Sequence, residues 1–234
     1  MAACLMAAAG GASLAQTAAS LLEACRDETQ PARLRIGACT RLLAATQDPA
    51  ARAEAFLQRG VLCELDGESE TAVADYTNAI KLAPANALTH FNRGNAHGQL
   101  GKQDLAIADY SEAIRLDPKD PDYFNNRGQA YDQQGRHDHA IADYTAASKL
   151  DAANARPLYN RSLAYANKGD YRRAIADLDR AITIAPDDAD LYIARGAAYE
   201  VLGDASAAAA SYSKALEVDP QSEDAREGLS RLGG

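Results

Sequence analysis

The chain has 234 residues, with 24 Lys and Arg against 33 Asp and Glu, for a formal charge of −9 and a pI near 4.9. Nucleic acid demands a cationic footprint that displaces phosphate counterions, and anionic membranes attract basic surfaces, so neither is an expected partner. No glycine-rich phosphate loop, HExxH or repeated CxxC occurs, so the reading is a non-catalytic chain with no metal and no cofactor.

The N-terminal segment, residues 1–18, carries no charge and is rich in alanine. It reads as signal-peptide-like, because Ser13-Leu14-Ala15 before Gln16 has the small-x-small form of a cleavage site. No Lys or Arg precedes the apolar run, so two readings stay open: a true start upstream of Met1, or an exposed flexible tail. Export to the periplasm or outside is the expectation, with the cytoplasm as the alternative. Gly10, Gly11, Ser13 and Gln16 interrupt the segment, and it is too short to span a bilayer, so the mature chain is not expected to insert in a membrane.

Beyond it a single interval of 34 residues organises the sequence. Arg59-Gly60, Arg93-Gly94, Arg127-Gly128 and Arg195-Gly196 recur at that step, with Arg161-Ser162 in between. A second glycine keeps the step at Gly67, Gly101, Gly135, Gly169 and Gly203, and an alanine keeps it at Ala72, Ala106, Ala140, Ala174 and Ala208. A fixed period of this size marks a stacked array, in which each unit buries its apolar face against its neighbours.

Extended backwards, the period makes residues 19–52 a degenerate copy, with Leu22, Ala38, Leu42 and Ala45 at its apolar positions. In that register Cys25 and Cys39 fall on facing helices, either bridged or as two buried thiols. A bridge closing a loop of about 15 residues contributes roughly 3 kcal/mol in the chain-entropy model, and it persists in oxidising compartments. Cys4 leaves with a signal peptide, and Cys63 is expected as an inert buried thiol.

In the copy over 87–120, Phe91, Gly94 and His97 fall at helical spacing, Gly101 interrupts, and Leu105, Ala106, Tyr110, Ala113 and Ile114 resume the pattern until Pro118. That predicts a helical hairpin. Gly94, Ala106 and Ala113 are small where the helices approach, Tyr110 fills the gap, and the turn glycine adopts the left-handed conformation that ends a helix. His90 and His97 take core positions, whereas His137 and His139 lie at a turn and are too few to bind a metal. Residues 222–232 predict a short amphipathic capping helix with Ser222 as N-cap.

These residues resemble the tetratricopeptide repeat, whose pattern is W-x2-L-G-x2-Y, A-x3-F and P. The first copy reads Phe56, Arg59-Gly60, Cys63, Ala72, Tyr76 and Pro84; the third reads Phe124, Arg127-Gly128, Tyr131, Ala140 and Tyr144. The resemblance implies an all-α, right-handed α-solenoid of helix-turn-helix repeats at 53–86, 87–120, 121–154, 155–188 and 189–220, closed by a cap and tail at 221–234. The Cys25 and Cys39 pair, the Ile36 to Thr40 stretch and the Asn-Arg-Gly form of Asn92 to Gly94 and Asn126 to Gly128 are similar to exported alphaproteobacterial members of that family.

Arginine in place of the family's leucine is a departure that needs its own account. Asp75, Asp109, Asp143 and Asp177 recur on the second helices, with Ser211 in the fifth copy. Two registers fit equally, Arg93 with Asp109 inside a repeat or with Asp75 across the junction. The row is either a semi-buried ladder that fixes stacking or a set of ligand-binding arginines.

The family's first helices line an inner groove, which implies a partner-binding set of Phe91, Asn95, Asn125, Asn126, Gln129, Arg156, Tyr159 and Asn160. Over all the groove positions the acids Glu54, Glu64, Asp122, Asp132, Asp190 and Glu200 face one base, Arg156, so the implied partner is a neutral or basic protein or peptide segment. The carboxylate clamp of some family members matches in kind only at Asn95, Asn126 and Arg156; Phe91 and Asn160 stand where it has cations. The expected role is a protein-interaction scaffold, with self-association into a homo-oligomer as the alternative.

Overall fold

The computed structural model describes residues 17–233, so residues 1–16 of the signal-peptide-like segment, including Cys4, lie outside them. Among the described residues there are thirteen α-helices and no strand. They fall into two compact units, Met1–Pro118 and Lys119–Gly234. The first holds α1 (Ala18–Arg26), α2 (Ala32–Ala45), α3 (Pro49–Leu65), α4 (Ser69–Leu82), α5 (Ala87–Gln99) and α6 (Gln103–Leu116). The second holds α7 (Pro121–Gln133), α8 (His137–Leu150), α9 (Arg156–Asn167), α10 (Tyr171–Ile184), α11 (Ala189–Val201), α12 (Ala205–Val218) and α13 (Glu223–Leu232). No described helix is long and apolar enough to cross a membrane.

Within each unit consecutive helices pair as hairpins and each hairpin packs on the next, the arrangement of an all-α repeat solenoid. The turn glycines Gly67, Gly101, Gly135, Gly169 and Gly203 have φ between 71° and 77°, a conformation costly for any residue with a Cβ. Asp48, Asn86, Asp120, Asp188 and Ser222 each accept a backbone N–H as helix N-caps, so polar side chains mark where helices start. Asp48 and Pro49 begin α3 four residues before the expected boundary at Ala53.

Four of the hairpins close where a glycine meets a tyrosine ring. A Cβ on Gly60, Gly94, Gly128 or Gly196 would lie 2.6–2.8 Å from Tyr76, Tyr110, Tyr144 or Tyr212. The fourth hairpin has Ser162 and Leu178 at these two positions, both almost fully buried. The variation at Ser162 is thus a matched exchange, because the smaller leucine leaves room for the added Cβ and hydroxyl.

The degenerate copy departs from the period. Its turn is longer, and α2 occupies 32–45 as α4 occupies 69–82, a step of 37 (69 − 32). Cys39 therefore takes the position of Tyr76. The Cys25 and Cys39 sulfurs stand at disulfide distance with Cα atoms 4.9 Å apart, both side chains fully buried. Cys63 is likewise fully buried, but it is a bridged cysteine and not the free thiol expected from its core position.

Candidate partner-binding surface

The arginine row is internal. Arg59, Arg93, Arg127 and Arg161 each donate from Nε and Nη2 to both oxygens of the aspartate 16 residues later, at 2.6–2.9 Å. Asp75, Asp109, Asp143 and Asp177 are buried. Nη1 turns to the preceding hairpin, where Thr40 serves Arg59, Thr77 serves Arg93 and Thr145 serves Arg161. The register within the repeat is the one used: Arg93 pairs with Asp109 and Asp75 pairs with Arg59, so the alternative of Arg93 with Asp75 across the junction does not hold, and what crosses the junction is a bond to a hydroxyl. In the fifth hairpin the acid has moved: Arg195 donates to the Ser211 hydroxyl at 3.2 Å and to Asp179, at the threonine position, at 2.7 Å. Guanidiniums held on two sides form a register-fixing ladder, with their fork geometry matched to carboxylate.

The second hairpin adds two histidines to this pair. His90 Nδ1 lies 3.7 Å from Asp109 Oδ1 and His97 Nε2 lies 3.8 Å from Oδ2, while both Nδ1 atoms are buried without a hydrogen bond. Burial lowers the His97 pKa, with Asp109 opposing and Arg93 and Lys102 reinforcing the shift. The other two histidines are engaged singly: His137 Nδ1 meets Asp132 at 2.5 Å, and the His139 ring lies 5.0 Å from that of Tyr131.

In the first unit, core tyrosines donate to polar side chains of the helix they pair with. Tyr110 donates to Asn95 Oδ1 at 2.8 Å and its ring packs 5.8 Å from that of Phe91. Tyr76 donates to Glu64 Oε2 at 2.8 Å, and Gln99 Nε2 to Oε1 at 3.0 Å. Burial raises the Glu64 pKa, and these two donors oppose it. Leu65 (78% exposed) and Leu88 (48%) are uncovered apolar groups of the same unit.

In the second unit four of the expected residues form one network. Asn160 Nδ2 donates to Asn125 Oδ1 at 3.0 Å, Asn125 Nδ2 to Asn126 Oδ1 at 3.2 Å, and Arg156 Nη2 reaches the same Asn126 oxygen at 3.5 Å. Asn125, 2% exposed, and Asn160 are buried, so their amides brace α7 against α9. Asn126, Gln129 and Tyr159 are half-buried and Arg156 is exposed. Burial raises the Tyr159 phenol, with Asp190 and Asp188 adding to the shift. Sequence reasoning missed the tyrosine hydroxyls, although Tyr76, Tyr110 and Tyr212 recur at one period position; Tyr212 donates to Glu200, which Arg231 of α13 also holds at 2.9 Å.

Among curated proteins, none matches the chain. Among solved structures, MamA is 25% identical with a TM-score of 0.66, over 69% of this chain and 95% of its own. YrrB, described as a TPR protein with an unusual peptide-binding site, is 19% identical with a TM-score of 0.68, over 82% and 97%. PilF of Pseudomonas aeruginosa is 17% identical with a TM-score of 0.73, over 92% and 97%. The TPR repeat family matches residues 65–101 and 98–135, and two tetratricopeptide repeat families match 125–189 and 161–232. With repeat matches running from residue 65 to residue 232 and a hairpin stack beneath them, the chain belongs to the tetratricopeptide repeat family.

Proposed function

We propose that the chain is a non-catalytic scaffold that holds a protein or peptide segment against the inner faces of its first helices. The observation that carries this reading is the pre-orientation of amides there: Asn95 is held by Tyr110, and Asn126 lies in a chain of hydrogen bonds from Asn160 to Arg156. Side-chain amides fixed in this way offer donors and acceptors to an extended main chain with little further loss of entropy. Phe91 and Tyr159 supply apolar anchors beside them. The formal charge of −9 favours a neutral or basic segment. The Cys25 and Cys39 pair at bonding distance supports an oxidising compartment, the periplasm or the exterior.

Affinity capture from periplasmic and cytoplasmic extracts tests the reading, with the native chain beside an Asn95→Ala, Asn126→Ala, Arg156→Ala variant checked for native helicity. A protein retained by the first and lost by the second is the expected result, and its extract identifies the compartment. Equal retention by both, or retention by neither, overturns the groove reading; a mass that rises with concentration in the latter case favours self-association.

A further inference from the structure

The first unit holds a partly open pocket of about 170 Å³, walled by Ala50, Ala53, Leu57, Ala79 and Ala83, with Glu54, Asn86 and Thr89 as its polar lining. An apolar cavity of roughly 150 Å³ admits a benzene-sized guest, so this one takes a single side chain rather than a stretch of main chain. By the 34-residue period Leu57 stands at the position of Phe91 and Glu54 at that of Arg156, both in the expected partner-binding set.

The polar groups around it are unequal. Asn86, also at the wall, has its Oδ1 committed to the Thr89 N–H at 3.1 Å in the α5 cap. Glu54 Oε1 accepts from Arg26 Nε and from Gln58 Nε2, each at 3.0 Å, and neither bond uses Oε2. The Arg26 side chain is 53% exposed and that of Glu54 25%, and an ion pair so open to water contributes little. The carboxylate therefore already accepts a cation and holds it loosely. A wall of methyl groups ending at such a carboxylate matches an aliphatic stem with a cationic tip.

We infer that this cavity receives a lysine side chain of the bound segment, its four-carbon stem against the alanines and its ammonium on Glu54. The inference rests on the groove reading and sharpens it, since it names the anchor residue of the partner. Arg26 acts as the internal competitor that the incoming lysine displaces.

The test is a titration of the full chain, methyl-labelled at alanine, with acetyl-Ala-Ala-Lys-Ala-Ala-amide and with its norleucine and glutamate counterparts, read by NMR. The lysine peptide shifts the Ala50, Ala53 and Ala83 methyls, binds about tenfold more tightly than the norleucine peptide, as befits one charge-assisted hydrogen bond, and the glutamate peptide leaves them unmoved. Glu54→Gln abolishes the preference for lysine, Ala50→Leu at the exposed rim weakens both peptides by filling the space, and Arg26→Ala tightens lysine alone. Equal affinity for lysine and norleucine, or no saturable shift of these methyls up to about 10 mM, overturns the assignment. A chain that captures its partner from extract yet shows no lysine preference loses the cavity assignment alone. One that prefers lysine but captures nothing loses the groove reading.

Discussion

At Asp109 three cationic or ionisable side chains converge on one buried carboxylate: Arg93 by two hydrogen bonds, and the His90 and His97 rings just beyond hydrogen-bond reach. Removing one member of a buried pair leaves the other charge uncompensated. Asp109→Ala is accordingly expected to cost roughly 3–5 kcal/mol, whereas Ser211→Ala, at the same position of the fifth hairpin, costs about 1 kcal/mol; urea unfolding of both variants measures the contrast. His97 is expected to make the first unit acid-sensitive. Its pKa is lowered on folding by burial, so the folded state binds fewer protons. The stability from its neutral form is complete above the unfolded value near 6.5 and is lost as pH falls through that value toward the lower folded one. His97→Tyr, which installs the residue found at Tyr131, Tyr165 and Tyr199, should flatten the fall in urea midpoint between about pH 7.5 and 5.5. An unchanged slope would assign the sensitivity to other groups. The periodic arginines and aspartates were legible in the sequence at this scale. Their pairing was not, because Arg93 stands 16 residues from Asp109 and 18 from Asp75, and both aspartates lie on neighbouring helices.

Two helices of a hairpin are set at a distance by one small and one large residue, and the fourth hairpin shows that the pair, not either member, is what the fold requires. Gly128→Ser places a side chain into the Tyr144 ring, which a Cβ would already approach to 2.8 Å, and is expected to cost about 1–3 kcal/mol by overpacking. Adding Tyr144→Leu reproduces the Ser162 and Leu178 combination and should recover part of that loss. A double-mutant cycle then shows positive coupling, and strict additivity would reject the matched-exchange account. The turn glycines belong to the same scale: Gly101→Ala has no steric conflict within 4 Å but must hold φ at 72°. A loss of about 1 kcal/mol or more is expected, measured by the same urea midpoints. Hairpins, turns and caps were legible because backbone sterics act locally. The shift of α2 by three residues was hidden by a longer turn that preserves helix-compatible alanines and leucines in either register.

Within each unit a hairpin is stabilised by its neighbours, so a terminal hairpin lacks half of its support. The short α1 meets this with the Cys25 and Cys39 pair. Closing a loop of that length contributes roughly 3 kcal/mol in the chain-entropy model. Replacing both cysteines by serine should therefore release amide protection in α1 and α2 while leaving α7 to α12 unchanged. Hydrogen exchange followed by mass spectrometry measures this, and uniform loss through both units would contradict nearest-neighbour stabilisation.

The sequence by itself determined the period, the helical hairpins, the left-handed turn and the family, because each follows from spacing along the chain and from the sterics of single residues. Tertiary structure decided which carboxylate and which hydroxyl each arginine holds. It also decided that Asn125 and Asn160 brace two helices while Asn126 and Arg156 remain accessible, and that Cys63 is no free thiol. Those outcomes depend on which side chains meet between helices distant in sequence. A repeat makes that hard to read, because every residue has an equivalent one period away that satisfies the same local rules.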